Sequence, residues 1–163
     1  VTEEVRVVRP KYKPVSPDQA IRELRKEFRR LQNKEEPGPE RAALLASFCR
    51  AAHEERQLNM AMHTATLCLE EDPERPQLLI DAYVTPDLED QEETLRALVD
   101  LQDLARYVGD EQLRTWVDGR IDSDARAWVR DGNEQERRHR LRTLGSMVDQ
   151  RFADQIRDEL EFL

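Results

Sequence analysis

Glycine and aromatic residues are scarce in this chain, at 5 glycines and 6% aromatics in 163 residues, and there are only 2 cysteines and 3 histidines. Gly38, Gly109, Gly119, Gly132 and Gly145 stand singly, so no glycine-rich loop is present to cradle a phosphate. Cys49 and Cys68 are too few for a disulfide scaffold and lack the paired spacing of a zinc site, so both are expected to be reduced, inert thiols in a core. After the first fifteen positions the β-branched and aromatic runs that mark strands are missing, which argues against a sheet and for helix. No stretch approaches the roughly 18 consecutive apolar residues of a membrane span, and the N-terminus has no apolar leader, so a cytoplasmic protein that does not engage membranes is expected.

What the chain has in abundance is charge. Charged residues make up 37% of it against 38% hydrophobic ones, a balance suited to thin helical layers with one buried stripe and a wide solvated face. The net charge of −9 disfavours indiscriminate attraction to phosphate backbones. It is also unevenly distributed: residues 1–41 carry +3, residues 42–136 carry −13 and residues 137–163 carry +1.

The chain length fits one domain with its own core. Residues 1–15, with Pro10 and Pro14 among alternating cations, read as an extended N-terminal arm, and residues 16–163 as a single all-α domain of about six helices in stacked antiparallel hairpins. Ser16-Pro17-Asp18 is a helix start, opening a helix to about Asn33 with Leu24, Phe28 and Leu31 inward. Pro37-Gly38-Pro39 interrupts it, and a second helix to about Arg56 carries Ala42, Leu45, Phe48, Cys49 and Ala52 on one face. A third follows from about Asn59 to Glu71, with Ala61, Ala65 and Cys68 in line, and a short helix or turn covers Gln77 to Tyr83. Thr85-Pro86-Asp87 is then read as the cap of a helix from about Leu88 to Val108, with Leu95, Leu98, Val99, Gln102, Ala105 and Val108 inward and Gly109 ending it. The next helix, to Arg130, aligns Leu113, Trp116, Val117, Ile121, Ala125, Trp128 and Val129, placing both tryptophans in the buried stripe. Asn133 and Glu136 form a capping box before a long final helix, about 134–163, with Leu141, Leu144, Val148, Phe152, Ile156 and Leu160 in rhythm. At about 42 Å, from 1.5 Å per residue, that helix exceeds what a small globule needs, so Phe152, Ile156 and Leu160 are expected to face a partner chain.

The stretch from Ala42 to Arg75 resembles one degenerate tetratricopeptide repeat, a 34-residue helix-turn-helix unit. Leu45, Phe48, Cys49 and Ala52 stand at its first-helix positions, Ala61, Ala65 and Cys68 at its second-helix positions, and Pro73 at its closing proline. The sequence departs from the pattern in having no large aromatic at Ala52 or Ala65, and Pro86 would break a following repeat. The resemblance implies a helical module that binds peptides or scaffolds complexes.

No residue set points to chemistry. His53 and His63 lie on the two helices of that hairpin and are expected to be packed or solvated, while His139 sits among arginines that disfavour a metal. Adjacent carboxylate pairs such as Glu54-Glu55 diverge by about 100° on a helix and do not converge on a site. Glu89, Glu92, Glu93 and Asp100 read as a solvated face, with an acidic stripe for a basic partner as the other possibility. Neither a catalytic site, a metal, a cofactor nor a small-molecule substrate is expected. Two basic clusters stand out, one with Arg25, Arg29 and Arg30, the other with Arg137, Arg138, Arg140 and Arg142. If their helices lay side by side, they would form a positive surface able to grip nucleic acid or an acidic protein; otherwise they pair with the acidic middle of the chain. The sequence thus leads to a non-catalytic protein-interaction or assembly subunit that engages a protein partner or a second copy, with a small nucleoprotein subunit as the alternative.

Overall fold

A computed structural model describes residues 17–33, 38–71, 76–85 and 90–161. The expected N-terminal arm, the Ser16 cap and the breaks at Pro37, Pro73 and Pro86 lie outside these residues. Among the described residues the chain is all-α, in eight helices: α1 (Pro17–Asn33), α2 (Pro39–Glu54), α3 (Leu58–Glu71), α4 (Pro76–Tyr83), α5 (Gln91–Val108), α6 (Glu111–Arg130), α7 (Glu134–Met147) and α8 (Gln150–Glu161).

The fold grows outward from α2. Leu45, Phe48, Cys49 and Ala52 are buried as the spacing predicts, and so are Ala43, Ala46 and Ala51 around the cylinder, because α1, α3 and α4 all pack on this one helix. The tightest of these contacts is with α3. Cys49 Sγ donates to the Ala61 carbonyl and Cys68 Sγ to the Ala42 carbonyl, both at 3.3 Å. Each thiol therefore reaches the backbone of the opposite helix, which requires small residues along the crossing. The turn between α2 and α3 is a Schellman-type cap: Arg56 takes φ 59°, its amide donates to the His53 carbonyl, and the Gln57 amide donates to the Ala52 carbonyl. A non-glycine in the left-handed region carries no sequence signature, so the helix stops two residues before the expected Arg56.

Beyond the hairpin the helices continue in series. Helices α2, α4, α6 and α8 contact one another in that order, α3 contacts α5, and successive helices pack antiparallel as α5 on α6 and α7 on α8. Two adjoining cores result. The larger joins α1 to α6 around Leu24, Phe48, Leu79, Leu98, Leu104 and Val117, and the smaller gathers Leu95, Ala125, Val129, Leu144, Ala153 and Ile156. Val148 and Phe152 touch both.

Several expectations are corrected. The count of about six helices rises to eight because the segment before Thr85 is a complete helix, with Leu79, Ile80 and Tyr83 buried, and because the C-terminal helix is divided. Helix α5 is capped not near Asp87 but by Asp90, whose side chain accepts from the Glu93 amide at 2.9 Å. Its buried line includes Leu101 and Leu104, whereas Val99, Gln102 and Val108 are only partly covered, because α5 is wedged between α3 and α4 on one side and α6 on the other. In α6 the four-residue ladder Leu113, Val117, Ile121, Ala125 and Val129 faces the core, leaving Trp116 37% exposed at its edge and Trp128 partly covered.

The most consequential correction concerns the C-terminus. The continuous helix over 134–163 is absent; it breaks at Val148, and Asp149 starts a new helix by accepting from the Phe152 amide at 2.7 Å. The Gln150 side chain turns back over α7, its amide lying where a Cβ on Gly145 would stand. A single straight helix would leave its apolar stripe in water, whereas the reversal lets α8 cover α6 and α7. Ile156 is consequently buried inside its own chain, and Phe152 and Leu160 pack against the smaller core. Arg126 secures the arrangement, bridging to Glu159 and lying 5.9 Å from the centroid of the Phe152 ring. Gly109 ends α5 in the left-handed region at φ 75°, and the Asn133–Glu136 capping box opens α7, both as the sequence indicates.

Candidate functional site

A cleft of about 340 Å³ opens where the ends of α2 and α4 meet the first half of α5, lined by Arg50, His53, Glu54, Tyr83, Arg96 and Asp100 among others. It is built from the α2 side, where Arg50, only 8% exposed, is with Thr64 one of two buried polar or charged residues among the described residues. Its guanidinium donates from Nε to Glu54 at 2.9 Å and from Nη1 to the Ala82 carbonyl at 3.0 Å and the Thr85 hydroxyl at 2.6 Å. A cation placed on the last carbonyls of α4 meets the negative end of its dipole, so Arg50 ties the end of α4 to α2.

One turn further along α2, His53 Nδ1 is 2.8 Å from the Tyr83 hydroxyl, with the rings edge to face at 5.7 Å. The same hydroxyl lies 3.6 Å from Cys49 Sγ. Asp100, His53, Tyr83 and Cys49 thus form a polar line from the mouth of the cleft to the middle of the α2–α3 crossing. Its ends differ in character. Burial pushes the Cys49 thiol up to about 12, with Cys68 adding to the effect and the Tyr83 hydrogen bond opposing it. Burial likewise raises the Tyr83 phenol well above its usual value, and the neighbouring Cys49 adds to this. These groups remain neutral, so the line is a way of satisfying buried polar atoms and not a store of charge. Cys49 is therefore expected to resist alkylation by iodoacetamide in the folded chain and to react freely in denaturant; with opening costs of several kcal/mol, the native rate should be at least about 100-fold lower, as followed by mass spectrometry.

Asp100 behaves differently. Its residue surface remains open at the mouth of the cleft, while partial burial of the carboxyl raises its pKa above the usual value against the opposing attraction of His53. The folded state therefore holds this proton to higher pH than the unfolded state, and stability falls as pH rises through the window between the two values. Asp100→Asn is expected to raise the melting temperature at about pH 7.5, with the gain shrinking as pH is lowered toward about 4. An equal gain at both ends, measured by thermal scans, would remove the carboxyl's charge as the cause.

The arginine clusters are kept apart. Helix α1 rests on α2 at one end of the helix series, and α7 rests on α6 and α8 at the other. On α7, Arg140 serves the fold: it donates to the Trp128 carbonyl at 2.7 Å, lies 5.4 Å from the Trp128 ring centroid, and stands 2.9 Å from where a Cβ on Gly132 would fall. Arg138 pairs with Glu134 at 2.6 Å, Arg137 donates to the Arg130 carbonyl at 3.0 Å, and Arg142 is exposed. On α1, Arg30 pairs with Glu27, whereas Arg25 and Arg29 point outward. His53 and His63 do not meet; His63 packs edge-on against Phe28 at 5.4 Å. Of the acidic stripe, Glu92 pairs with Arg96 and Asp100 turns to the cleft, while Glu89 lies outside the described residues. Among the described residues no group of three histidines, cysteines or carboxylates is placed to hold a metal, and no helix is long and apolar enough to cross a membrane.

No family model, curated protein or solved structure matches the chain. The cleft was not legible in the sequence. Arg50 looks like any helix-surface arginine, and its only signal is that it falls between Cys49 and Ala51 in a helix that is apolar nearly all round.

Proposed function

We propose that this chain is a non-catalytic protein-interaction module, an adaptor or assembly subunit. The observation that carries the reading is the serial packing of α2, α4, α6 and α8 with α3 and α5 behind them, which spreads the helices into an extended face instead of closing them around a pocket. The polar groups of the cleft are consistent with it: Arg50, His53 and Tyr83 are engaged in holding α2 to α4, an arrangement that supports a fixed binding surface. The exposed aromatics Tyr107 and Trp116, on α5 and α6, supply the residue types enriched at protein interfaces.

The reciprocal thiol contacts of α2 and α3, and the placement of α4 on α2 where a following repeat would set its first helix, support a tetratricopeptide-like arrangement. Helix α4 has only 8 residues, so any such repeat is truncated. A nucleoprotein subunit is the weaker reading, since a single positive surface would need α1 and α7 side by side. Crosslinking the chain in its native cells and identifying the attached species tests the proposal. Recovery of a defined protein partner at fixed stoichiometry is expected; recovery of nucleic acid alone, or of the uncrosslinked chain, would overturn it.

A further inference from the structure

The polar line from Cys49 to Asp100 can be read hydrogen by hydrogen. The Cys49 thiol and the Tyr83 phenol are both neutral, so each has a single hydrogen to give. The thiol spends its hydrogen on the Ala61 carbonyl at 3.3 Å, a group that can only accept. Its contact with the Tyr83 hydroxyl at 3.6 Å then needs Tyr83 as the donor. That uses the phenolic hydrogen, so across the 2.8 Å contact the donor is His53 Nδ1 and the acceptor is the Tyr83 oxygen. The opposite order would set the sulfur against the hydroxyl oxygen with no hydrogen between them, although Cys49 and Tyr83 are both buried. In the neutral ring the lone pair therefore sits on Nε2, the nitrogen turned away from Tyr83. Among the described residues the His53 ring makes no hydrogen bond besides the one to Tyr83.

We infer that His53 is a pH-sensitive latch: on protonation, its Nε2–H pairs with the Asp100 carboxylate across the cleft and ties α2 to α5. The fixed tautomer is what makes this a switch. In the neutral ring Nε2 and the carboxylate are two acceptors with no hydrogen to share, and protonation supplies it; a ring carrying its hydrogen on Nε2 would bond Asp100 at any pH. The tie also joins helices that are otherwise held together chiefly through others, since α3 and α4 each pack on both α2 and α5. The groups facing the ring from each helix single out Asp100. On α2, Arg50 and Glu54 hold one another and the Cys49 thiol stays neutral. On α4, Tyr83 already serves Nδ1. On α5, Arg96 gives Nε and Nη2 to Glu92, and Glu93 lies two turns before Asp100. Asp103 adds its negative charge beside Asp100, and His53 is the foremost of the charges that oppose the upward push of burial on the Asp100 carboxyl.

The full chain, labelled with heavy nitrogen in its histidines, is measured by long-range proton–nitrogen correlation at about pH 8.5, roughly two units above the ordinary imidazole value. The His53 signals are picked out from those of His63 and His139 by their loss in His53→Gln. The Nδ1–H form is expected in the parent chain and in Cys49→Ser, where a hydroxyl still accepts from Tyr83. Cys49→Ala removes that acceptor without touching the ring, so Tyr83 turns its hydrogen toward His53 and the Nε2–H form is expected. The latch itself is read from urea denaturation of His53→Gln and Asp100→Asn, singly and combined, with circular dichroism confirming that each variant is folded. The two substitutions are expected to be coupled by about threefold or more in the unfolding constant at about pH 5.5 and to act independently at about pH 8.5. The inference is overturned by an Nε2–H ring in the parent chain at alkaline pH, by an unchanged ring in Cys49→Ala, or by a coupling that does not depend on pH.

Discussion

Phe48→Ala is expected to cost about 3–5 kcal/mol of folding stability, a large share of the roughly 5–15 kcal/mol a domain of this kind has in total. Phe48 is fully buried at the centre of α2 and stacks on Phe28 of α1 at 5.7 Å between centroids, while His63 of α3 meets the other ring edge-on. Three helices therefore share one aromatic junction. Truncation removes the largest side chain from the part of the core that the backbone can least close, since the thiol contacts of Cys49 and Cys68 already hold α2 and α3 near their closest approach. The melting temperature should fall by roughly 10 °C or more, and the urea midpoint should fall with it. Hydrogen exchange should rise first along α1, which joins the body chiefly through α2. A loss below about 1 kcal/mol would show that the junction can collapse around the gap and that Phe48 is not the fold's central contact.

The second large effect is expected at Arg50. Arg50→Met keeps most of the side-chain volume but removes the donor to the Ala82 carbonyl and to the Thr85 hydroxyl, both in part-buried surroundings. A fully buried orphaned acceptor costs about 1–3 kcal/mol, and with both acceptors only partly buried the loss for the two together should be about 1–3 kcal/mol. Loss of the Glu54 pair adds little, because Glu54 is 43% exposed and water can replace its partner. Arg50→Lys should recover only part of the loss, since one ammonium cannot reproduce the guanidinium fork that reaches a carboxylate on one side and a carbonyl on the other. The readout is chemical denaturation of both variants, together with amide hydrogen exchange along α4, which reports whether its end separates from α2. If Arg50→Met were as stable as the parent chain, the cleft would owe its shape to apolar packing alone.

Both effects fall on a helix whose inward residues were marked by their spacing. Ala42, Leu45, Phe48, Cys49 and Ala52 on one helix and Ala61, Ala65 and Cys68 on the next are buried as their spacing requires, because residues three and four apart share one side of a helix. The candidate site was not legible in the same way. His53, Tyr83 and Asp100 are far apart in sequence and come from three helices, and their meeting depends on α4 and α5 packing beside α2. The basic clusters on α1 and α7 were visible in the sequence, but the partners of their arginines were not. Those partners come from helix register and packing: Arg140 finds Trp128, Arg138 finds Glu134 and Arg30 finds Glu27.

The sequence by itself determined the all-helical class, the burial of the α2–α3 crossing, the Gly109 stop and the Asn133 cap, since each depends on interactions within a turn or two of the backbone. The tertiary structure alone decided the reversal at Val148 and Asp149, the burial of Ile156 and the exposure of Trp116. Periodicity records which residues avoid water but not which neighbour shelters them. A rhythm running from Leu141 to Leu160 suits one long helix against a partner or two short ones folded on their own chain, and the choice falls to whichever surface is close enough to cover it.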